Sequence, residues 1–294
     1  MTAALSAAQR LAVERARACY LVACELDVAV RKPGNVSRQS AGHGMQAALF
    51  SASARASVGP LFSRGARVGD RIEAAVAATA DVAGCNTNLG IVLLCAPIAR
   101  AVELRPEADE PLALRAAVEA VLADLDVDDA RAAYRAIAQA RPGGLGSAPA
   151  EDVHSAPSID LRAAMALAAE RDNIARQYRD GYAGLFDLGL APLRSGFPLS
   201  FEIHPLHGVR DLCRHWLDSH IVRKHGAALA HSVMRSAQGW QARALAGEPV
   251  DADPDFAAWD RELKAAGLNP GTSADLTVAA LFVAGLVVQS AAAR

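Results

Sequence analysis

Helical spacing of apolar residues runs through almost the whole chain and leaves little room for another secondary structure. From 6 to 30, apolar residues recur every three or four positions, and Pro33-Gly34 then stops the pattern. Strand-like alternation is nearly absent, and 200–206 is the one segment with a plausible strand pattern. The sequence therefore predicts an all-α protein, a multi-helix bundle.

Caps and breakers mark further helices after the first. They are predicted at 71–83, from 89 after an Asn86-Thr87-Asn88 cap, at 111–124, 129–140, 161–188 and 208–245, and from 273 to the end. The loop-like stretch 141–157 has the same composition on both flanks, so we expect an ordered surface loop and one domain over 1–294.

Charge and cysteine usage narrow the class of protein. A net charge of −2 argues against a nucleic-acid partner, because binding a phosphate backbone usually needs a strongly basic face. The longest apolar runs are about half of the roughly 20 residues that a membrane span needs. The five cysteines show neither metal spacing nor a disulfide framework, which favours a reducing cytoplasm. A homodimer is compatible with the alanine-rich helices, although no residue marks its face.

Three compact clusters of glycine, asparagine, threonine and charge interrupt the helices. They are Lys32-Pro33-Gly34-Asn35-Val36 with Gly42-His43-Gly44-Met45, Gly84-Cys85-Asn86-Thr87-Asn88-Leu89-Gly90, and Asn269-Pro270-Gly271-Thr272-Ser273-Ala274-Asp275-Leu276. Each combines backbone N–H groups, small polar side chains and a helix start, which suits a polyanion such as a nucleoside triphosphate. We therefore predict an enzyme that acts on a phosphorylated nucleotide.

The order and spacing of these clusters, with Asp218-Ser219-His220-Ile221-Val222-Arg223-Lys224-His225-Gly226 between the second and third, resemble the triphosphoribosyl-dephospho-CoA synthase family. The resemblance covers nearly the whole chain. It implies an all-helical enzyme that displaces adenine from ATP and attaches the triphosphoribosyl group to a hydroxyl of dephospho-CoA.

The second cluster departs from the family pattern. The family typically has Asn-Thr-His-Lys-Gly, whereas this chain has Asn-Thr-Asn-Leu-Gly at 86–90 and so lacks one imidazole and one cation. The chain also resembles a branch found beside one-carbon genes of methylotrophs, which implies an alternative (phospho)ribosyl transfer in tetrahydromethanopterin biosynthesis, with phosphoribosyl pyrophosphate as donor. The sequence is also compatible with a non-catalytic nucleotide-binding protein and, least of all, with a phosphohydrolase.

Breaking a ribose C1–N bond builds positive charge on the sugar, so the reaction needs a carboxylate as stabiliser or base. Glu25 and Asp27 are the first candidates, and Glu25 would share a helix face with Lys32, seven residues on, if the helix persists. His43 could contact adenine or protonate the leaving nitrogen. Asp218, in the family-like segment, is a further catalytic candidate.

Phosphate ligands are predicted from cations, caps and flexible turns. The candidates are Lys32, Gly34, Asn35, Ser37, Asn86, Thr87, Asn88, Gly90, Arg171, Arg176, Arg223, Lys224, Gly271 and Ser273. Plain capping, a helix-terminating turn, or an Asp172–Arg176 pair on a solvated helix face would account for many of them equally well.

Mg²⁺ is the expected cofactor, held near the phosphates by Asp218 and Asp275. Six of the eight histidines lie between His204 and His231, but their spacing around a helix argues against a transition-metal site. The expected partners are small nucleotide substrates, with neither nucleic acid nor membrane.

Overall fold

The computed structural model describes residues 6–190 and 217–292, and this part of the chain is helical without a named strand. The helices are α1 (Ala7–Ala29), α2 (Ala47–Leu61), α3 (Val68–Ala83), α4 (Leu89–Leu104), α5 (Pro111–Ala123), α6 (Val127–Ala140), α7 (Leu161–Ala168), α8 (Asn173–Arg179), α9 (Ser219–His225), α10 (Ala227–Leu245), α11 (Pro254–Ala265) and α12 (Gly271–Ala292). A π-helical turn at Leu185–Gly189 and a 3₁₀ turn at Val250–Ala252 complete them. The all-α prediction is confirmed.

Helix α4 lies at the centre of the bundle. It contacts α1, α2, α3, α5, α8 and α12, and nearly all of its side chains are buried. Pro97 inside α4 has no N–H for the Leu93 carbonyl one turn earlier. Tyr178 donates its hydroxyl to that carbonyl at 2.7 Å, and Tyr182 donates to the next one, Leu94 O, at 2.9 Å. The two tyrosines thus provide hydrogen bonds to carbonyl groups near the proline, which allows Pro97 to lie inside a buried helix.

The helix starts follow the caps that the sequence carries. Ser6 and Gln9 form a reciprocal capping box at α1, and Asp126 and Asp129 form one at α6. The predicted start of α3 is three residues late, because Val68 and Gly69 are already helical.

The long helix predicted at 161–188 is wrong. Helix α7 ends at Ala168, and the Asp172 side chain then accepts hydrogen bonds from the N–H groups of Ile174 and Ala175, so that it caps α8 as a new helix. Gly226, with φ +87°, divides the predicted 208–245 helix between α9 and α10. The predicted strand at 200–206 lies outside the described residues.

Helices α9, α10 and α11 pack around a small second core. Ile221, Ala230, Leu263 and Leu268 are buried there, apart from the main core. In the described residues, no helix is both long and apolar enough to cross a bilayer.

Candidate active site

The predicted clusters meet at one cleft of about 580 Å³, a volume typical of small-molecule sites. Its walls come from the end of α1, the start of α4, the 142–153 loop, α7, α8, α9 and the start of α12. Nine predicted site residues line it: Asn35, Asn86, Thr87, Asn88, Gly90, Arg171, Arg223, Gly271 and Asp275.

The loop after α1 places a buried ion pair at this cleft. The Lys32 ammonium lies 2.5 Å from Asp27 Oδ2, and both side chains are almost fully buried. Burial raises the pKa of Asp27, and the Lys32 ammonium opposes that rise. Asp27 lines the cleft, and its Oδ1 has no hydrogen-bond partner among the described residues. This oxygen is available to a ligand.

The expectation that Glu25 lies beside Lys32 is wrong. Glu25 forms an ion pair with Arg38 at 2.6 Å and lies 3.6 Å from Arg55, on the outer face of the helix. Helix α1 ends at Ala29, so its two-turn spacing no longer holds at Lys32. Asp27, the other carboxylate considered in the sequence, occupies the position next to Lys32.

Gly34, Ser37 and His43 shape the loop and do not line the cleft. Gly34 has φ +80°, and its N–H donates to Asp260 Oδ1 at 2.9 Å. A side chain on Gly34 would meet the Leu268 carbonyl at 2.6 Å. The His43 ring contacts the Gly34 carbonyl at 2.8 Å, and Ser37 donates its N–H to Ser40. Their predicted roles as ligands and, for His43, as a proton donor stay predictions.

The 86–88 segment combines capping with placement of ligand groups. Asn86 Oδ1 accepts the N–H of Leu89, the first residue of α4, at 3.1 Å, whereas the N-cap residue Asn88 makes no side-chain capping bond. The Thr87 hydroxyl lies 2.6 Å from that of Ser53, and Asn88 Nδ2 donates to Ser57 at 3.3 Å. Asn88 is buried at the cleft, and its Oδ1 lacks a hydrogen-bond partner in the described residues.

Gly90 admits the carboxylate of Asp275 to the cleft. A Cβ at Gly90 would lie 2.0 Å from Asp275 Oδ2, so any side chain there collides with it. Asp275 lies two residues further into α12 than predicted, just beyond its first turn, and its side chain is partly exposed toward the cleft. Desolvation first, then the charges of Asp27 and Asp218, raise the pKa of Asp275 well above its ordinary value. The carboxyl groups of Asp27, Asp218 and Asp275 therefore lie close enough together to oppose the ionisation of Asp275.

Asp218 joins two helix starts, and its carboxylate oxygens already have partners. Oδ1 accepts the Ile221 N–H at 3.0 Å, and Oδ2 accepts both the N–H and the hydroxyl of Ser273 at 2.8 Å. Burial raises its pKa, and the Ser273 N–H opposes that rise. This geometry disagrees with the predicted metal and catalytic roles of Asp218 and with a free phosphate-binding Ser273, because the two satisfy each other.

The cationic side of the cleft differs from the predicted arrangement. Asp172 does not pair with Arg176; it lies 3.2 Å from Arg223. Arg176 donates instead to the Ala169 carbonyl, and Arg171 donates to Leu167.

Arg223 and Lys224 also hold the glycine-rich loop against the cleft. Arg223 Nε donates to the Gly143 carbonyl at 3.1 Å, and Gly143 lies against the Lys224 stem. Of the two cations, Arg223 lines the cleft. Arg171 and Arg223 are therefore the predicted cations that a bound anion can reach.

His220, Asp172 and Asn269 line the cleft without having been predicted as ligands. Burial, followed by the charges of Lys224 and Arg223, lowers the pKa of His220 to about 4, so its ring is neutral near pH 7. Asn269 Oδ1 accepts a hydrogen bond from Asn35 at 2.9 Å, which joins the first and third clusters. His220 and Asn269 lie in segments that carry the motifs, and this was the signal that could have identified them, whereas Asp172 lies in no such segment.

Comparison with known proteins identifies the family of the chain. The family model of ATP:dephospho-CoA triphosphoribosyl transferase, CitG, matches residues 13–293. Among curated proteins, none matches the sequence significantly. A crystal structure from Archaeoglobus fulgidus, provisionally named a triphosphoribosyl-dephospho-CoA synthase, superposes with a TM-score of 0.63 at 22% identity; the match covers 81% of this chain and 97% of that one. That likeness supports the all-helical fold. With a match over nearly its whole length, the chain belongs to the ATP:dephospho-CoA triphosphoribosyl transferase family.

Proposed function

We propose that the protein transfers the triphosphoribosyl group of ATP to a hydroxyl of dephospho-CoA and releases adenine. The family match over residues 13–293 carries this proposal. The cleft supports it, because polar groups of all three clusters converge there with Asp27, Arg171 and Arg223. The enzyme class is that of the family, a transferase.

The reaction breaks the C1–N bond of ATP and forms a C1–O bond to the acceptor. Adenine leaves with the bonding electrons, and the proton lost by the hydroxyl balances the one that adenine gains. Asp27, paired with the Lys32 ammonium, is placed to stabilise positive charge on the ribose or to take the hydroxyl proton. Arg171 and Arg223 line the same cleft and suit the triphosphate.

The oxygen donors at the cleft fit Mg²⁺, which we propose as the cofactor. In the described residues, no group of three or more histidine, cysteine or carboxylate side chains could hold a metal. Mg²⁺ needs fewer protein ligands when phosphates complete its shell. Asp275 and Asn88 Oδ1, which has no hydrogen-bond partner in the described residues, would hold it, whereas Asp218 would not. The bound cation would neutralise triphosphate charge.

The competing functional hypotheses lose support. The family names ATP as donor and dephospho-CoA as acceptor, which does not favour phosphoribosyl transfer to a pterin or binding without turnover. A cytoplasmic location and a homodimer stay predictions.

The experiment incubates the protein with Mg-ATP and dephospho-CoA and follows adenine and new adducts by mass spectrometry. We expect one adenine released for each triphosphoribosyl-dephospho-CoA formed, and loss of both products in Asp27→Asn. Arg55→Ala, which alters the outer face of α2 rather than the cleft, is the matched control and should retain activity.

A second incubation contains phosphoribosyl pyrophosphate and a pterin-ribitol acceptor. Pyrophosphate release with a phosphoribosylated pterin would move the protein to one-carbon cofactor synthesis. Intact ATP in the first incubation would favour a binding protein, and inorganic phosphate without adenine would favour a phosphohydrolase. Any of these three results contradicts the proposed transfer.

A further inference from the structure

A second, smaller cavity adjoins the cleft and has a different chemical character. It lies between α10, α11 and the start of α12, has a volume of about 100 Å³, and is lined mainly by apolar atoms. Met234, Trp240, Phe256 and Trp259 form much of its wall, and we call it the aromatic pocket. Drug-sized ligands occupy roughly 300–1,000 Å³, so this pocket suits one ring system and not a whole nucleotide.

The aromatic pocket shares its inner wall with the cleft. Asn35 and Ala274 line both spaces. Lys32 also lines the aromatic pocket, and its ammonium reaches Asp27 in the cleft. A ligand that spans this wall would place one group against the rings and another beside the Asp27 carboxylate.

The pocket offers stacking surface together with an amide. Trp240 packs edge-on against Phe256 with ring centroids 5.0 Å apart, and it stacks with Trp259 at 6.3 Å. The Arg243 guanidinium lies over the Trp240 ring at 4.5 Å and helps to fix it. Gln238 also lines the pocket and makes no hydrogen bond within the described part of the chain. An aliphatic chain would leave this amide unused, whereas a purine has ring faces to stack and an edge that an amide can bind.

We propose that the aromatic pocket binds an adenine base of a substrate, with Gln238 hydrogen-bonded to the edge of the base. The inference rests on the proposed function, in which two adenine-bearing molecules meet: ATP and dephospho-CoA. One base therefore lies in the aromatic pocket, and the remainder of both substrates lies in the cleft.

The first test measures adenosine binding to the full chain by tryptophan fluorescence and equilibrium dialysis. The chain has three tryptophans, and two of them line the pocket, so stacking should quench the emission. We expect Gln238→Leu to weaken adenosine binding about fivefold and Trp259→Leu about tenfold. Ser236→Ala, an exposed change on the same helix, should leave binding unaltered. Trp259→Phe retains an aromatic ring and provides a second variant in case Trp259→Leu does not fold.

The second test measures the KM for ATP and for dephospho-CoA in Gln238→Leu. The substrate whose KM rises is the one whose base occupies the pocket. Unchanged adenosine binding in both Gln238→Leu and Trp259→Leu would overturn the inference, as would quenching by pantetheine in place of adenosine. If wild-type protein binds adenosine through Gln238 but releases no adenine from ATP, the proposed function fails and the pocket assignment stands.

Discussion

A single methyl group added at Gly90 should lower both catalytic activity and stability, and the two losses can be measured separately. In Gly90→Ala the new Cβ would lie 2.0 Å from Asp275 Oδ2, so the carboxylate must leave its position in the cleft. We expect adenine release to fall at least about tenfold, with a loss of roughly 1–3 kcal/mol in the free energy of unfolding from overpacking. Steady-state rates and urea unfolding measure the two effects.

Gly59→Ala is the matched control for this substitution. Beyond the chain neighbours and helix backbone of Gly59 in α2, no atom lies within 4 Å of the position that a Cβ would take. Alanine there should preserve activity and change stability little, because the gain in helix propensity is offset by contact of the new Cβ with the ring of Pro60. Full activity in Gly90→Ala would show that the position of Asp275 is not needed for the reaction.

The Asp27–Lys32 pair is the second residue-scale test. Lys32→Met leaves the Asp27 carboxylate buried without its cation, which should cost about 3 kcal/mol of stability. The double variant Asp27→Asn/Lys32→Met removes both charges and should regain most of that loss while staying inactive. Thermal or urea unfolding of the four proteins gives the coupling energy. Additive losses would mean that the two charges do not interact.

At this scale the sequence predicted the right segments but not each right side chain. The 25–36 segment contains the cleft carboxylate, yet Glu25 and Asp27 could not be ranked without knowing where α1 ends. Gly90 was predicted to allow a close approach, and the structure identifies the approaching group as Asp275. Such pairings depend on contacts almost 200 residues apart, which local spacing does not encode.

Asp218 connects two helices, because its carboxylate accepts hydrogen bonds at the start of α9 and at the start of α12. Asp218→Ala removes a helix cap and both hydrogen bonds to Ser273, and we expect it to lower the free energy of unfolding by about 3 kcal/mol. Asp218→Asn keeps one acceptor oxygen and should fold better, with its apparent Mg²⁺ requirement for adenine release unchanged.

Asp275→Asn provides the comparison, since it alters a carboxylate without a hydrogen-bond partner in the described residues. We expect this variant to need several times more Mg²⁺ for half-maximal activity. A comparable change in Asp218→Asn would support the metal role that the sequence suggested for Asp218.

Element boundaries were predictable where caps and breakers act locally. The starts of α1 and α5 follow from Ser6 and Pro111. Helix α6, predicted from 129, starts two residues earlier, at Val127 behind the Asp126 cap. The break between α7 and α8 was missed, because an aspartate within a helical pattern can face solvent or cap a new helix. Tertiary contacts decide between these two arrangements, and here the contact is the pairing of Asp172 with Arg223.

At the scale of the whole molecule, a buried ionic group links the α2–α3 turn to the central helix. Glu103 of α4 accepts hydrogen bonds from the Gly65 N–H at 2.7 Å, from Arg100 at 2.9 Å and from the Arg71 guanidinium. Arg71 also donates to Leu61 O and Ala66 O, and it is 1% exposed. An arginine or a glutamate in the sequence does not show whether it is buried or exposed, so the sequence did not identify this pair.

Glu103 should make the stability of the fold depend on acid. Burial raises the pKa of Glu103, but the Gly65 N–H and the Arg71 and Arg100 charges outweigh it and leave the pKa below the ordinary 4.5. The ionised group therefore stabilises the fold above about pH 4.5, and this contribution is lost as the pH falls through the lower, folded-state pKa. Glu103→Gln should cost about 3–5 kcal/mol at pH 7, and the difference from wild type should shrink below pH 4.5. Urea unfolding across that pH range measures the difference in the free energy of unfolding.

Glu73→Gln is the control: it breaks the more exposed pair with Arg135 and should cost no more than about 1 kcal/mol. A difference for Glu103→Gln that stays constant well below pH 4.5 would show that packing, and not the ionised carboxylate, accounts for the loss.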